Sequence, residues 1–312
     1  MIDRVIGRYE GEEGGPLLVV FGGIHGNEPA GVKALNLMFK MLEVEPITNP
    51  SFKYKGTLIG LIGNRQSYAL QQRFINRDLN RIWTDDNVEK ILNTDKSLLQ
   101  YESLELREIL DLIHAELSSR NYSQLIVLDM HTTSSYGGIF TLPTNEEESL
   151  RIALELHAPV IRGMIDGIEG TTLHYFRSDN FDIPTVAVVF ESGQHTEDLS
   201  VNRAIAAITN CMRTIKAIEP NIVENVHDSL LIEYSENLPK LSQLHSMHPI
   251  APGDNFQMMP NYKNFQTVSK GETLAKDKNG IITANADGMI LMPLYQEKGE
   301  DGFFLIQKIE GY

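Results

Sequence analysis

Residues 17–28 read LLVVFGGIHGNE. Five consecutive apolar residues, Leu17 to Phe21, suit a strand buried on both faces, because the alternation of apolar and polar residues disappears when neither face meets water. Gly22 and Gly23 end the run, and Val32, Leu35, Phe39 and Leu42 then recur at helical spacing. Strand, glycine turn and helix make the repeating unit of an open α/β sheet. In such sheets, side chains at the carboxyl ends of the strands line the binding crevice. His25 and Glu28 stand at this turn.

The same reading extends along the first two-thirds of the chain. Thr57–Ile62 (TLIGLI), Leu125–Asp129 (LIVLD) and Thr185–Phe190 (TVAVVF) are further buried-strand runs. Between them, 97–118, 146–157 and 201–218 carry helical periodicity, with Leu98, Leu106, Ile109, Ile113 and Leu117 near one face of the first. Strands alternating with helices predict an α/β fold, a mostly parallel (mixed) sheet flanked by helices. The pattern changes near Glu219-Pro220. Beyond it, Gly and Pro punctuation and short apolar runs with turns at DKNG and NADG predict a β-rich unit. The expected division is a catalytic α/β domain over 1–219 and a C-terminal β-rich domain over 220–312.

The chain has 312 residues, 42% hydrophobic and 22% charged, which is globular composition and excludes disorder. Its net charge of −15 repels phosphate backbones, so no nucleic-acid partner is expected. No apolar run is long enough to span a bilayer and the first residues lack a signal-peptide core, so a cytoplasmic protein without membrane association is expected. The single cysteine, Cys211, lies in an apolar stretch and reads as a small buried residue. A homodimer is the base-rate expectation.

Candidate chemistry gathers where strands end. His25 and Glu28 can turn toward one ion, although HxxE is a weak signal alone; a solvated loop is the bland reading. His131 follows the third strand, with Asp129 two residues before it as either a carboxylate behind the histidine or an ordinary strand-end acid. Two histidines and a glutamate form a set that leaves a fourth position of a zinc ion for water; cobalt or manganese would also suit it. Glu191 ends the fourth strand, as a general base or as a loop acid. His195 in the same loop reads as a loop histidine rather than a substrate contact. QQRFINRDLNRIW places Arg73, Arg77 and Arg81 within nine residues of an acidic chain. Arginine forks bind carboxylates or hold an oxyanion, and a surface network of Arg77 with Asp78, Asp85 and Asp86 is the alternative.

Taken together, GGIHGNEPAG, RDLNRIW, LDMHTTS, a glutamate ending a strand some sixty residues later, and HPIAPGD resemble the succinylglutamate desuccinylase/aspartoacylase family. The resemblance covers most of the chain. It implies a zinc carboxypeptidase-like fold, with one Zn2+ per chain held by His25, Glu28 and His131. It implies Glu191 as general base and acid, and Arg73 as the group that polarises the scissile carbonyl. Asn80 and Arg81 match the pair that grips a substrate carboxylate. Arg177 is the nearest match to a further carboxylate-binding arginine, and Tyr295 to a substrate-contacting tyrosine of the C-terminal domain, which in the family narrows the mouth of the site. The implied activity is zinc-dependent hydrolysis of the amide of a small acidic N-acyl amino acid. The alternatives are a metallocarboxypeptidase acting on short peptides, an esterase, and a non-catalytic protein that binds an acidic metabolite.

Overall fold

The computed structural model describes residues 2–220 and 226–311. The chain opens with β1 (Val5–Glu10) and β2 (Glu12–Gly22), and α1 (Ala30–Thr48) leads to β3 (Lys55–Ile62). Helices α2 (Arg65–Leu70), α3 (Asp85–Leu92) and α4 (Tyr101–Ser119) precede β4 (Leu125–Thr133) and β5 (Phe140–Pro143). Then come α5 (Glu147–Glu155), β6 (Val160–Arg162), α6 (Met164–Gly167), α7 (Thr172–Tyr175), β7 (Thr185–Gln194), α8 (Leu199–Thr214) and α9 (Val226–Ser235). The rest is strands: β8 (Leu241–Pro249), β9 (Gln257–Met258), β10 (Gln266–Val268), β11 (Thr273–Asp277), β12 (Gly280–Thr283), β13 (Gly288–Leu291) and β14 (Asp301–Lys308).

A mixed α/β architecture results. Its 11-stranded sheet runs β1-β3-β2-β4-β7-β5-β6-β8-β14-β13-β10. The four strands read from sequence, β3, β2, β4 and β7, form its parallel centre. Alternation along them divides the core in two. Leu18, Val20, Ile126, Leu128, Val188 and Phe190 pack on one face with α1, α5 and α8, and Cys211 is buried there. Leu17, Val19, Phe21, Val127, Ala187 and Val189 pack on the other, with α4 and Trp83. Both faces are covered, which is why these strands read as unbroken apolar runs. Beyond β7 the sheet continues through β5 and β6, and β6 pairs in parallel with β8. The antiparallel C-terminal strands β8, β14, β13 and β10 therefore extend the same sheet, while β12, β11 and β9 form a separate three-stranded one.

Several boundaries differ from expectation for physical reasons. β4 and β7 run past Asp129 and Phe190 because His131 pairs with Glu191, and Glu191 also pairs with Phe140 of β5. The helix expected from Ser97 begins at Tyr101. Asp95 instead caps a short turn at Lys96–Leu98, accepting from Ser97 N at 2.9 Å, and Leu98 is left 73% exposed. The helix expected to reach Ile218 stops at Thr214. β1, β5 and β6 were not anticipated. β1 is a half-exposed edge strand carrying Arg8 and Glu10, and β6 has three residues, too few for any periodicity to register.

One buried carboxylate shapes the loop that follows α2. Glu102, in the first turn of α4, accepts from the backbone N–H groups of Ile75, Asn76 and Arg77 at 2.7, 3.1 and 3.1 Å and from Asn64 Nδ2 at 3.1 Å. A loop with no ladder of its own thus has its donors satisfied from a helix. Glu102→Ala removes the acceptor that these donors share and should cost about 1–3 kcal/mol. Urea denaturation monitored by circular dichroism measures it; a loss within experimental error would show that the loop is held by something else.

Candidate metal centre

The sheet register brings the centre together. Gly22 of β2 lies opposite Met130 of β4, and His131 opposite Glu191 of β7. His131 and Glu191 therefore leave the sheet on the same face, beside the turn that carries His25 and Glu28. That turn can close because residue 26 is glycine: a Cβ there would lie 2.1 Å from the carbonyl carbon of Ser67. Gly26 N also donates to Arg73 O at 3.2 Å, so the histidine turn and the arginine loop pack backbone to backbone.

His25, Glu28 and His131 are buried, and each offers one ligand atom within 4.8 Å of the others. Nδ1 of His25 is 2.8 Å from Glu28 Oε1, and Nδ1 of His131 is 3.0 Å from Glu28 Oε2. Thr132 N donates to Glu28 Oε2 at 2.9 Å and fixes that carboxylate. Behind each ring stands another acid: His25 Nε2 is 3.1 Å from Asp78 Oδ1, and His131 Nε2 is 3.0 Å from Asp129 Oδ2. Thr172 Oγ1 donates to Asp129 Oδ2 at 2.6 Å. A carboxylate behind a ring nitrogen takes that nitrogen's N–H, which would leave each Nδ1 as the atom to bind a metal. This is how histidines are held as metal ligands, and the donor set of two imidazoles and one carboxylate suits zinc.

Charge reinforces the arrangement. Burial opposes ionisation of Glu28, but His25 and His131 outweigh it and hold its carboxyl well below the usual range. Burial likewise opposes charge on His131, yet Asp129 and Glu28 raise it well above its ordinary value. At Asp78, Arg73 and His25 overcome burial and keep the acid ionised. Glu191 is the exception. Burial pushes its carboxyl up to about 8, and its Oε2 is enclosed without a hydrogen-bond partner.

These groups open into a cavity of about 110 Å3 that also reaches Arg73, Asn80 and Arg81. Arg73 binds Asp78 Oδ2 through Nε and Nη2, both at 2.9 Å, and its Nη1 is 3.8 Å from Glu28 Oε1. Asn80 Oδ1 accepts from Thr172 N at 3.0 Å. Arg81 Nη2 is 2.5 Å from Asp301 Oδ2 of β14.

Two of the expected site residues lie elsewhere. Arg177 pairs with Asp85 and with His174 O, outside the cavity lining. Tyr295 also lies outside that lining; its hydroxyl donates to Met259 O at 2.6 Å and accepts from Tyr262 N at 2.8 Å. His195 is held between Thr132 Oγ1 at 2.7 Å and Gln296 Oε1 at 3.2 Å, and burial lowers its proton affinity. The sequence offered Asp78 only as a partner of Arg77 in the alternative of a surface ion network, not as the acid behind His25. Sequence reasoning missed Thr172, Gln296 and Asp301 altogether, since nothing local marks residues that meet the site from 43, 101 and 220 positions away.

A family model described as the succinylglutamate desuccinylase/aspartoacylase catalytic domain matches residues 14–215. A "Probable aspartoacylase" of Nostoc sp. is 28% identical over 133 residues, 43% of this chain. The chain spans 40% of that relative's length. The succinylglutamate desuccinylase of Pseudomonas putida is 25% identical over 279 residues, 86% of this chain and 75% of the relative. Among solved structures, murine aminoacylase 3 superposes with a TM-score of 0.61 over 96% of this chain and 97% of its own, at 19% identity, a likeness of fold.

The buried acid and imidazole give the metal-free protein a defined pH response. Glu191 keeps its proton when folded from its ordinary 4.5 up to about 8, and unfolding releases it, so stability falls as pH rises through that window. His131, raised above 6.5, acts in the same direction, its contribution full below 6.5 and lost as pH climbs through the folded value. The melting temperature of chelator-treated protein should fall from about pH 5 to about pH 8, and Glu191→Gln should flatten that limb. A melting temperature that rises with pH across the window would contradict a neutral buried Glu191.

Proposed function

The chain belongs to the succinylglutamate desuccinylase/aspartoacylase family of hydrolases, and from that premise we propose that it is a zinc-dependent hydrolase cleaving the amide bond of small N-acyl amino acids. The observation that carries this reading is the unpartnered, buried carboxyl oxygen of Glu191 in the cavity it shares with His25, Glu28 and His131. A buried acid left without a partner costs stability, and a proton-transfer role in the site accounts for it.

His25, Glu28 and His131 are the residues that hold the metal, which when bound acidifies a water and polarises the scissile carbonyl. Glu191 carries the proton: its carboxylate takes it from the attacking water and returns it to the amide nitrogen as the C–N bond breaks. Burial raises the proton affinity of Glu191 and a neighbouring cation lowers it, which poises the group for both halves of the transfer. Arg73, oriented by Asp78, offers N–H groups beside the ligands, where they stabilise the carbonyl oxygen as negative charge develops on it. Asn80, anchored through Oδ1 to Thr172 N, keeps its side-chain N–H groups for the substrate. The small cavity suits a compact substrate rather than a polymer.

The test combines metal analysis with amine release from a panel of N-acyl amino acids. One zinc per chain is expected, with turnover abolished by chelation and restored by zinc. Glu191→Gln should retain zinc and lose roughly 10²–10⁴-fold in kcat. Near-normal turnover by a zinc-loaded Glu191→Gln protein would overturn the assignment.

A further inference from the structure

The cavity wall offers few uncommitted hydrogen-bond donors. All three nitrogens of the Arg81 guanidinium face oxygens of this chain. Nη2 lies 2.5 Å from Asp301 Oδ2, Nε lies 3.7 Å from Glu300 Oε2, and Nη1 donates to Asn80 O at 2.7 Å. Gln296 differs. It is half-buried between β13 and β14, and it lines both the metal cavity and the neighbouring cavity of about 980 Å3. Its Oε1 accepts from Asn27 Nδ2 at 2.8 Å and from His195 Nε2 at 3.2 Å. An amide oxygen only accepts, so His195 carries its proton on Nε2, and Nδ1 accepts from Thr132 Oγ1 at 2.7 Å. Burial lowers the proton affinity of His195 and favours this neutral ring. Two donors thus fill both lone pairs of Oε1, which fixes the carboxamide plane and sets Nε2 on its other side. Among the described residues, no acceptor meets that Nε2.

We infer that Gln296 is a substrate-binding residue, whose Nε2 donates to the α-carboxylate of the N-acyl amino acid in the place that the family resemblance gives to Arg81. The inference rests on the amide-hydrolase reading above and deepens it. Every N-acyl amino acid brings two oxygen-bearing groups, the scissile carbonyl and the α-carboxylate. Arg73 and the metal ligands serve the first. The second, arriving at Arg81, would meet Asp301 and Glu300, two charges of its own sign. A neutral amide carries no such acid, and its N–H groups need not first be freed from another oxygen. Gln296 is also oriented before substrate arrives, because Asn27 and His195 hold its oxygen, so little rotamer entropy is lost on binding. Asn27 precedes the ligand Glu28, and His195 follows Glu191 in the same loop, so the carboxamide is anchored to the elements that carry the reaction. Sequence alone marks Tyr295 in this segment; its hydroxyl is committed to Met259 O and Tyr262 N, and the next residue is the one that lines the cavity.

The experiment measures KM and kcat of zinc-loaded wild type, Gln296→Met and Gln296→Glu on N-acetyl-L-alanine, N-acetyl-L-leucine, N-acetyl-L-methionine, N-acetyl-L-aspartate and N-succinyl-L-glutamate. Gln296→Met removes the donor without adding charge. Gln296→Glu keeps an oxygen for Asn27 and His195 but has no N–H to give. Zinc content and melting temperature report whether either variant disturbs the fold. Both variants should raise KM by roughly tenfold or more and leave kcat within roughly threefold. The rise should be similar for every amide cleaved, because the α-carboxylate is common to all. A purely structural role for Gln296 predicts a loss in Gln296→Met that Gln296→Glu escapes, and that result overturns the inference. An unchanged KM in both variants overturns it too. So does a rise in Gln296→Glu alone, which reports repulsion by the new charge without a lost hydrogen bond. A rise confined to N-acetyl-L-aspartate and N-succinyl-L-glutamate would set Gln296 against a side chain and likewise overturn it. If the zinc-loaded wild type hydrolyses none of the five amides, the hydrolase reading itself fails, an outcome distinct from an unchanged KM in variants that turn over.

Discussion

Two buried imidazoles share one carboxylate in front, and each has another carboxylate behind. Glu28 faces Nδ1 of both His25 and His131, with Asp78 and Asp129 at the opposite nitrogens. Charge buried at this density is tolerated only when each group is matched, so every neighbouring element is constrained by it. Arg73 is required to balance Asp78, Thr172 to satisfy Asp129, and the backbone of Thr132 to hold Glu28. The rings are thereby fixed in orientation before any ligand arrives. Glu191 Oε2 is buried without a hydrogen-bond partner, which suits a group left to exchange a proton.

The sheet supplies the accuracy this requires. A shift of one residue between β4 and β7 would turn every side chain to the other face. His131 or Glu191 would then point into the layer occupied by Leu128 and Phe190. Unbroken apolar runs on β2, β3, β4 and β7 prevent such a slip only in combination with the polar ends, because both faces of these strands are apolar. The pairing of His131 with Glu191, and of Glu191 with Phe140, continues the ladder through the site itself. The histidine turn and the arginine loop are not strands and need other supports: Gly26 lets them touch, and Glu102 gathers the loop amides.

Much of this was legible in the sequence. Long apolar strands announce themselves, and His25, Glu28, His131 and Glu191 stand at or near their ends. What stayed hidden has a common cause. β6 is too short to show a period, β1 too exposed to look like a strand, and Leu98 apolar enough to suggest a helix that a local Asp95 cap prevents. Asp78 was visible only as a possible ion-pair partner of the arginines; it does pair with Arg73, but its second oxygen faces a histidine ring. Arg177 and Tyr295 illustrate the opposite failing: residue type and rough position agreed, but tertiary packing commits the one to Asp85 and the other to Met259 O. Asp301 could not be found at all, since its meaning arises only when β14 folds back across the chain.

The parallel pairing of β6 with β8 makes the C-terminal strands a continuation of the central sheet rather than a body tethered by a linker. The wall of the cavity formed by Met292, Asp301 and Phe304 is thus carried by the same hydrogen-bonded framework as its floor. Swinging that wall aside would mean tearing ladder hydrogen bonds and opening buried core, a motion close in cost to unfolding. The framework therefore gives the enclosure a fixed span. Traffic through its mouth falls to rotations of side chains and small shifts of loops, events of nanoseconds to microseconds rather than the slower rocking of hinged lobes.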